Sequence, residues 1–208
     1  MRFFLILLGA IVFSVLVVHI GNTVYWKWLL LLFPIFIIVA YFIDAKEKRE
    51  NNKNRTKYQE AGKLIFSGYQ DEFSAYYQSY LRGKKKKEPI EVICEFADAR
   101  GLVQVIDWRG EDNEGEVEEF IEKLLGQEIS WRYSSTLRSG SPIGEQRDGE
   151  FIAALFKAVD KDLSAIGRRL LFLGLGDSYE YTIVSTNTFN GIKRLKISEL
   201  RGARELDK

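Results

Sequence analysis

The sequence predicts an α+β protein: an N-terminal two-helix transmembrane hairpin, then a small mixed or antiparallel sheet packed with amphipathic helices. Three observations carry this expectation. Residues 3–43 are almost wholly apolar. Helix-like and strand-like patterns alternate through the rest, and the last two strand-like runs read as a hairpin rather than as parallel neighbours.

The first apolar run, Phe3–Ile20, is 18 residues without a formal charge, about 27 Å of helix against a hydrocarbon core of ~30 Å. The second, about 24–43, has Tyr25, Trp26 and Trp28 as an interfacial aromatic anchor and Pro34 inside it, which a bilayer helix tolerates. No small-x-small cleavage site lies between the runs, so a removed leader is not expected. The segment 44–57 carries six Lys or Arg against three acids. That excess predicts both termini on the cytoplasmic side of a cell membrane, with the bilayer as partner through two helices. Lys46, Lys48, Arg49 and Lys53 are expected to touch anionic headgroups, as are Lys84, Lys85, Lys86 and Lys87 in the basic run "RGKKKK".

Residues 58–208 are expected to form the cytoplasmic α+β domain. Tyr69, Phe73, Tyr76, Tyr77 and Tyr80 recur at helical spacing and predict one packed face of a helix within 58–81. "IEVICEFADARG" reads as a helix stopped by Gly101, and "LVQVIDW" as a strand with Val103, Val105 and Asp107 on one face. "NEGEVEEFIEKLLG" is an amphipathic helix capped by Asp112 or Asn113 and ended by Gly126. "ISWRY" reads as a short strand and "SSTLRSGSPIGEQRDG" as the longest loop. "FIAALFKAVDKDLSAIG" is a second helix with Asp148 as its cap and Gly167 past its end. "RRLLFLGLGDSYEYTIVS" is the hairpin, turning at Gly176 and Asp177, and "TNTFNGIKRLKISEL" contains a closing helix.

The residue inventory excludes much familiar chemistry. The one histidine, His19, lies in the first apolar run, so no His-based nucleophilic triad can be built in the domain. A single cysteine, Cys94, rules out an intramolecular disulfide and paired Cys zinc ligation. The domain holds 22 basic and 26 acidic residues, net −4, and nucleic acid is not an expected partner. The candidate binding residues are Asp107, Trp108, Arg109 and Asp177, at the two places where strands end in charge. Asp107-Trp108-Arg109-Gly110 also matches a type I turn, which gives Asp107 a structural task. A metal reading would recruit Asp107, Glu111, Asp112 and Asp177, but their spacing matches no calcium loop, so neither metal nor cofactor is expected. "GLGDSY" lacks the third glycine and following helix of a dinucleotide fingerprint.

The pair "ICEFADARGLVQVIDWRGED" and "LLFLGLGDSYEYTIV" resembles a bacterial family of unknown function. The resemblance rests on Ala97–Gly101 (Ala-Asp-x-x-Gly), Ile106–Trp108 (Ile-Asp-Trp) and Asp177–Tyr179 (Asp-x-Tyr), across about residues 90–195. It implies bacterial origin and a small cytoplasmic α+β domain, and it brings no catalytic residues. The functional expectation is a membrane-anchored binding or regulatory module that engages a protein partner. The alternative is a membrane-tethered, carboxylate-dependent hydrolase or nucleotide- or phosphoester-acting enzyme using Asp107, Asp177 and Glu111, helped by Arg109.

Overall fold

The computed structural model describes residues 25–83, 87–141, 149–174, 176 and 178–206, with side chains of the first helix from Ile37 onward. The chain divides into two compact units, residues 1–53 and 54–208. In the first unit runs the start of helix α1 (Tyr25–Ile65). Its side chains from Ile37 to Ile43 are largely exposed, and Asp44 pairs with Lys48 one turn later at 2.8 Å.

Here the expected membrane hairpin is not supported. Among the described residues no helix is long and apolar enough to cross a membrane. The second apolar run does not end as an element at residue 43, because α1 continues through the charged stretch to Ile65. The first run, Phe3–Ile20, lies outside the described residues. The two-span membrane location and its inferred orientation lose their basis with the hairpin. Lys46, Lys48, Arg49 and Lys53 are exposed positions of α1. Lys84, Lys85 and Lys86 lie outside the described residues, and Lys87 pairs with Glu95.

The second unit is a four-stranded antiparallel sheet with helices on both faces. In chain order the elements after α1 are α2 (Gln70–Arg82), α3 (Pro89–Asp98), β1 (Gln104–Asp107), α4 (Glu116–Leu125) and α5 (Arg132–Gly140). Then come α6 (Gly149–Ala165), β2 (Arg168–Leu173), β3 (Ser178–Ser185), α7 (Thr186–Leu195) and β4 (Leu200–Arg201). The sheet order is β1-β3-β2-β4, with Arg168 opposite Ser185 and Gln104 opposite Tyr181. The β2–β3 hairpin therefore forms as expected. Its turn residue Asp177 lies outside the described residues, while Gly174 enters the turn at φ +89, a conformation that suits a residue without Cβ.

Strand β2 shows why the first arm of the hairpin is continuously apolar. Leu171 and Leu173 join one core with Ala61 of α1, Phe66 just past its end, and Phe73, Tyr77, Ile93 and Phe96 from α2 and α3. Leu170 and Phe172 join the other, with Val117, Ile121, Leu155 and Phe156 from α4 and α6. A strand covered on both faces needs no polar side. In β1, by contrast, Ile106 is 2% and Val105 53% exposed, the alternation of a strand with one wet face.

Three expectations are corrected. "ISWRY" is not a strand, because side chains take its backbone donors. Glu122 accepts the Ile129 N–H (3.0 Å) and the Trp131 indole N–H (2.8 Å). Asp162 accepts the N–H groups of Arg132 (3.2 Å), Tyr133 (3.0 Å) and Ser134 (3.1 Å). Those are the orphan donors of a helix start, so the presumed loop opens as α5, capped by a carboxylate 28 to 30 residues away. The cap of α4 is Gly115 at φ +90 rather than Asp112 or Asn113; Asp148 lies outside the described residues. The aromatic run is also no single packed face. Phe73 and Tyr77 are fully buried, but Tyr69 and Tyr76 are 44% and 39% exposed, Tyr69 having become the α2 N-cap position.

Burial of tyrosines makes the fold sensitive to alkali. Burial, and then the neighbouring Tyr80, pushes the Tyr77 phenol from its ordinary 10.0 up to about 12. Tyr58 and Tyr181 are raised as well, chiefly by burial. The folded state keeps protons that the unfolded chain releases near pH ~10. Stability is thus fully present below pH ~10 and falls as pH rises toward about 12. Urea unfolding at about pH 9 and about pH 11.5 is expected to give a lower midpoint at the higher pH. A flat midpoint across that window would contradict the assignment.

Candidate functional site

Asp107 ends β1 and closes a turn. Its C=O accepts the Gly110 N–H at 3.0 Å, and its Oδ1 accepts the Arg109 N–H at 2.9 Å. The Arg109 Nε donates to the same oxygen at 3.2 Å. These bonds to Arg109 hold the Asp107 carboxyl below its ordinary range. The carboxylate therefore spends its lone pairs on its own turn, as an Asp at position i does. What the turn displays is Trp108, 52% exposed, with its carbonyl and ring edge close to Gly149 at the start of α6. The Arg109 guanidinium lies 5.9 Å from the Trp108 ring centroid. The structure thus brings Asp107, Trp108 and Arg109 together, and Asp177 lies outside the described residues.

Directly after the turn, Glu111 joins a buried cluster whose other members, Arg138 and Glu118, sequence reasoning missed. Arg138, on α5, reaches two acids. Its Nε and Nη2 meet the two oxygens of Glu118 at 3.0 and 2.6 Å. Its Nη2 donates to Glu111 Oε1 at 2.9 Å, and Nη1 makes an ion-pair contact with Oε2 at 2.7 Å. The side chains of Arg138, Glu111 and Glu118 are 10%, 6% and 11% exposed. Burial opposes the Arg138 charge, but Glu118 and Glu111 outweigh it and raise its pKa. Glu111 Oε1 also takes the Val117 N–H at 2.8 Å. The segment after the turn is so tied to the first turn of α4 and to α5. Nothing in local sequence marks Arg138; only the folded chain brings it to Glu111, 27 residues away.

A second buried pair was legible in principle. Asp160 sits one turn after the buried Phe156 on the core side of α6. It accepts Arg169 Nε and Nη2 at 2.9 and 2.7 Å and the Leu170 N–H at 2.9 Å. An acid on an apolar stripe signals a bonded carboxylate.

The other residues with chemical potential are also engaged. Glu111 is committed to Arg138, and Asp107 to Arg109, so neither acid is presented unpaired. The Cys94 thiol is raised by burial and by its hydrogen bond to Glu180, the opposite of an activated nucleophile. Among the described residues no group of three or more His, Cys, Asp or Glu could hold a metal ion. A cleft of about 260 Å³ opens away from the turn, lined in part by Ser67, Gly68, Leu102, Leu124, Arg168 and Ile183.

A family model described as Domain of unknown function (DUF6630) matches residues 40–204, well beyond the 90–195 of the sequence motifs. No curated protein and no solved structure matches the chain.

Proposed function

We propose that this chain, which belongs to the DUF6630 family of domains of unknown function, is a protein-binding module whose contact face is the Trp108 turn and the adjoining free side of β1. One observation carries the reading: Val105 and Trp108, 53% and 52% exposed, stand within four residues of each other on an edge strand and a braced turn. A large aromatic in the open favours water exclusion by a partner. A turn tied by Asp107 and followed at once by Glu111, which Arg138 holds, presents that ring at little conformational cost. Of the acids of the alternative, enzymatic reading, Asp107 and Glu111 are instead occupied by arginines.

Crosslinking of the full-length chain in cells, followed by pull-down and mass spectrometry, tests this. One dominant protein partner is expected, recovered at least about tenfold less with Trp108→Ala or Val105→Asp. Both variants are to keep the wild-type thermal transition. Equal recovery by both variants, or no specific protein partner, overturns the proposal.

A further inference from the structure

We infer that the cleft beside β3 is a second binding site, one for the free C-terminus of a polypeptide ending in an apolar residue. It goes beyond the Trp108 face and does not depend on it. The sheet itself supplies the first observation. The Thr186 N–H donates to the Gly167 C=O at 3.0 Å. By alternation, even-numbered residues of β3 bond toward β2 and odd-numbered ones toward β1. Tyr179 and Tyr181 meet Ile106 and Gln104 there. Ile183 is the next residue in that series, and the register would place Leu102 opposite it. Yet β1 begins only at Gln104, and the Leu102 N–H donates instead to the Ala97 C=O at 3.0 Å. Ile183 therefore offers a main-chain donor and acceptor with no strand across from them among the described residues, on the wall of the cleft.

The second observation is charge. Arg168 is exposed and lines the same cleft. Among the described residues its side chain has neither an ion pair nor a hydrogen bond, unlike Arg100, Arg109, Arg138 and Arg169. Ser67 and Gly68, in the connection between α1 and α2, line the cleft as well. Their backbone N–H groups donate to no acceptor among the described residues. A cation and two amides call for an anion. The third observation is the apolar wall of Leu102, Leu124 and Leu125.

An extended backbone, a terminal anion and an apolar side chain occur together in the last residue of a polypeptide. Capture of a chain end by strand addition uses these same elements. About 260 Å³ is also below the usual ~300–1,000 Å³ of a small-molecule pocket, which suits the end of a chain rather than a length of it. The Ile183 backbone would hold the extended strand, Arg168 with the Ser67 and Gly68 amides the carboxylate, and the leucines the final side chain.

Fluorescence polarisation with the full-length chain tests the inference, using short peptides of varied sequence ending in Leu, Ile, Val or Phe. Each is offered with a free C-terminus and as its amide. Free-acid peptides are expected to bind, with affinity at least about tenfold weaker on amidation and in Arg168→Gln. Leu124→Asp, on the apolar wall, is to weaken binding similarly, with the thermal transition of each variant as a check on folding. Equal binding of acid and amide, or wild-type affinity in Arg168→Gln, overturns it. So does binding of N-acetyl-leucine or phosphate in place of any peptide, which would make the cleft a small-anion site. Absence of peptide binding up to millimolar concentration overturns it too. Partner recovery through Trp108 should be unchanged in Arg168→Gln, which separates failure here from failure of the proposed face.

Discussion

Arg138→Ala is expected to lower the stability of the folded chain by about 3–5 kcal/mol. The guanidinium is the common counter-charge of Glu111 and Glu118, and all three side chains are nearly excluded from solvent. Truncation leaves two like charges buried beside each other, with the Val117 N–H the only other donor to either carboxylate among the described residues. The pair itself is not worth that much, since the desolvation of three charges offsets most of their attraction. The loss comes from stranding the acids. A second arm follows from this: Arg138→Met combined with Glu111→Gln and Glu118→Met should be markedly more stable than Arg138→Ala alone, because no unpaired charge remains. Urea unfolding of the full-length variants measures both. A loss below about 1 kcal/mol in Arg138→Ala would show that water reaches the cluster.

Gly62→Ala is the second large effect, and its sign is set by two opposed magnitudes. In an exposed helix the change would stabilise by about 1 kcal/mol through helix propensity. At Gly62, buried in α1, a Cβ would stand 2.1 Å from Cζ and 2.2 Å from Cε1 of Phe73. That ring has little room to retreat: Phe96, Phe66 and Tyr77 hold their centroids at 5.1, 5.3 and 5.6 Å from it. Overpacking of a filled core costs about 1–3 kcal/mol or more, and an overlap this deep belongs at the upper end. A net loss of about 2 kcal/mol is expected, with partial recovery on adding Phe73→Leu. Unchanged or raised stability in Gly62→Ala would mean that Phe73 yields without cost.

The domain's elements were largely readable because each follows from local repetition. Helices α3, α4, α6 and α7 and the β2–β3 hairpin stand where periodicity and glycine punctuation put them. Gly126 at φ +66 and Gly167 at φ +72 end α4 and follow α6 as expected of residues without Cβ. The misreadings share one cause. "ISWRY" has the composition of a strand, but Glu122 and Asp162 supply acceptors from other helices and turn its end into the start of α5. The apolar run that suggested a second span was judged by content alone. Where the helix ends is a property of the folded chain, and α1 runs on to Ile65.

The candidate site divides along the same line. Sequence alone determined that Asp107 and Gly110 would turn the chain and leave Trp108 at the end of a strand, because a turn depends on four consecutive residues and their dihedral preferences. It also determined that residues 58–208 hold no histidine, which composition alone decides. Only tertiary structure decided that Arg138 would bind Glu111 and Glu118. It decided too that β1 would begin one pair too late to cover Ile183, and that Arg168 would stand beside that gap with no partner among the described residues. Those outcomes depend on which helix packs over which strand, a matter of summed burial in two cores rather than of neighbours along the chain.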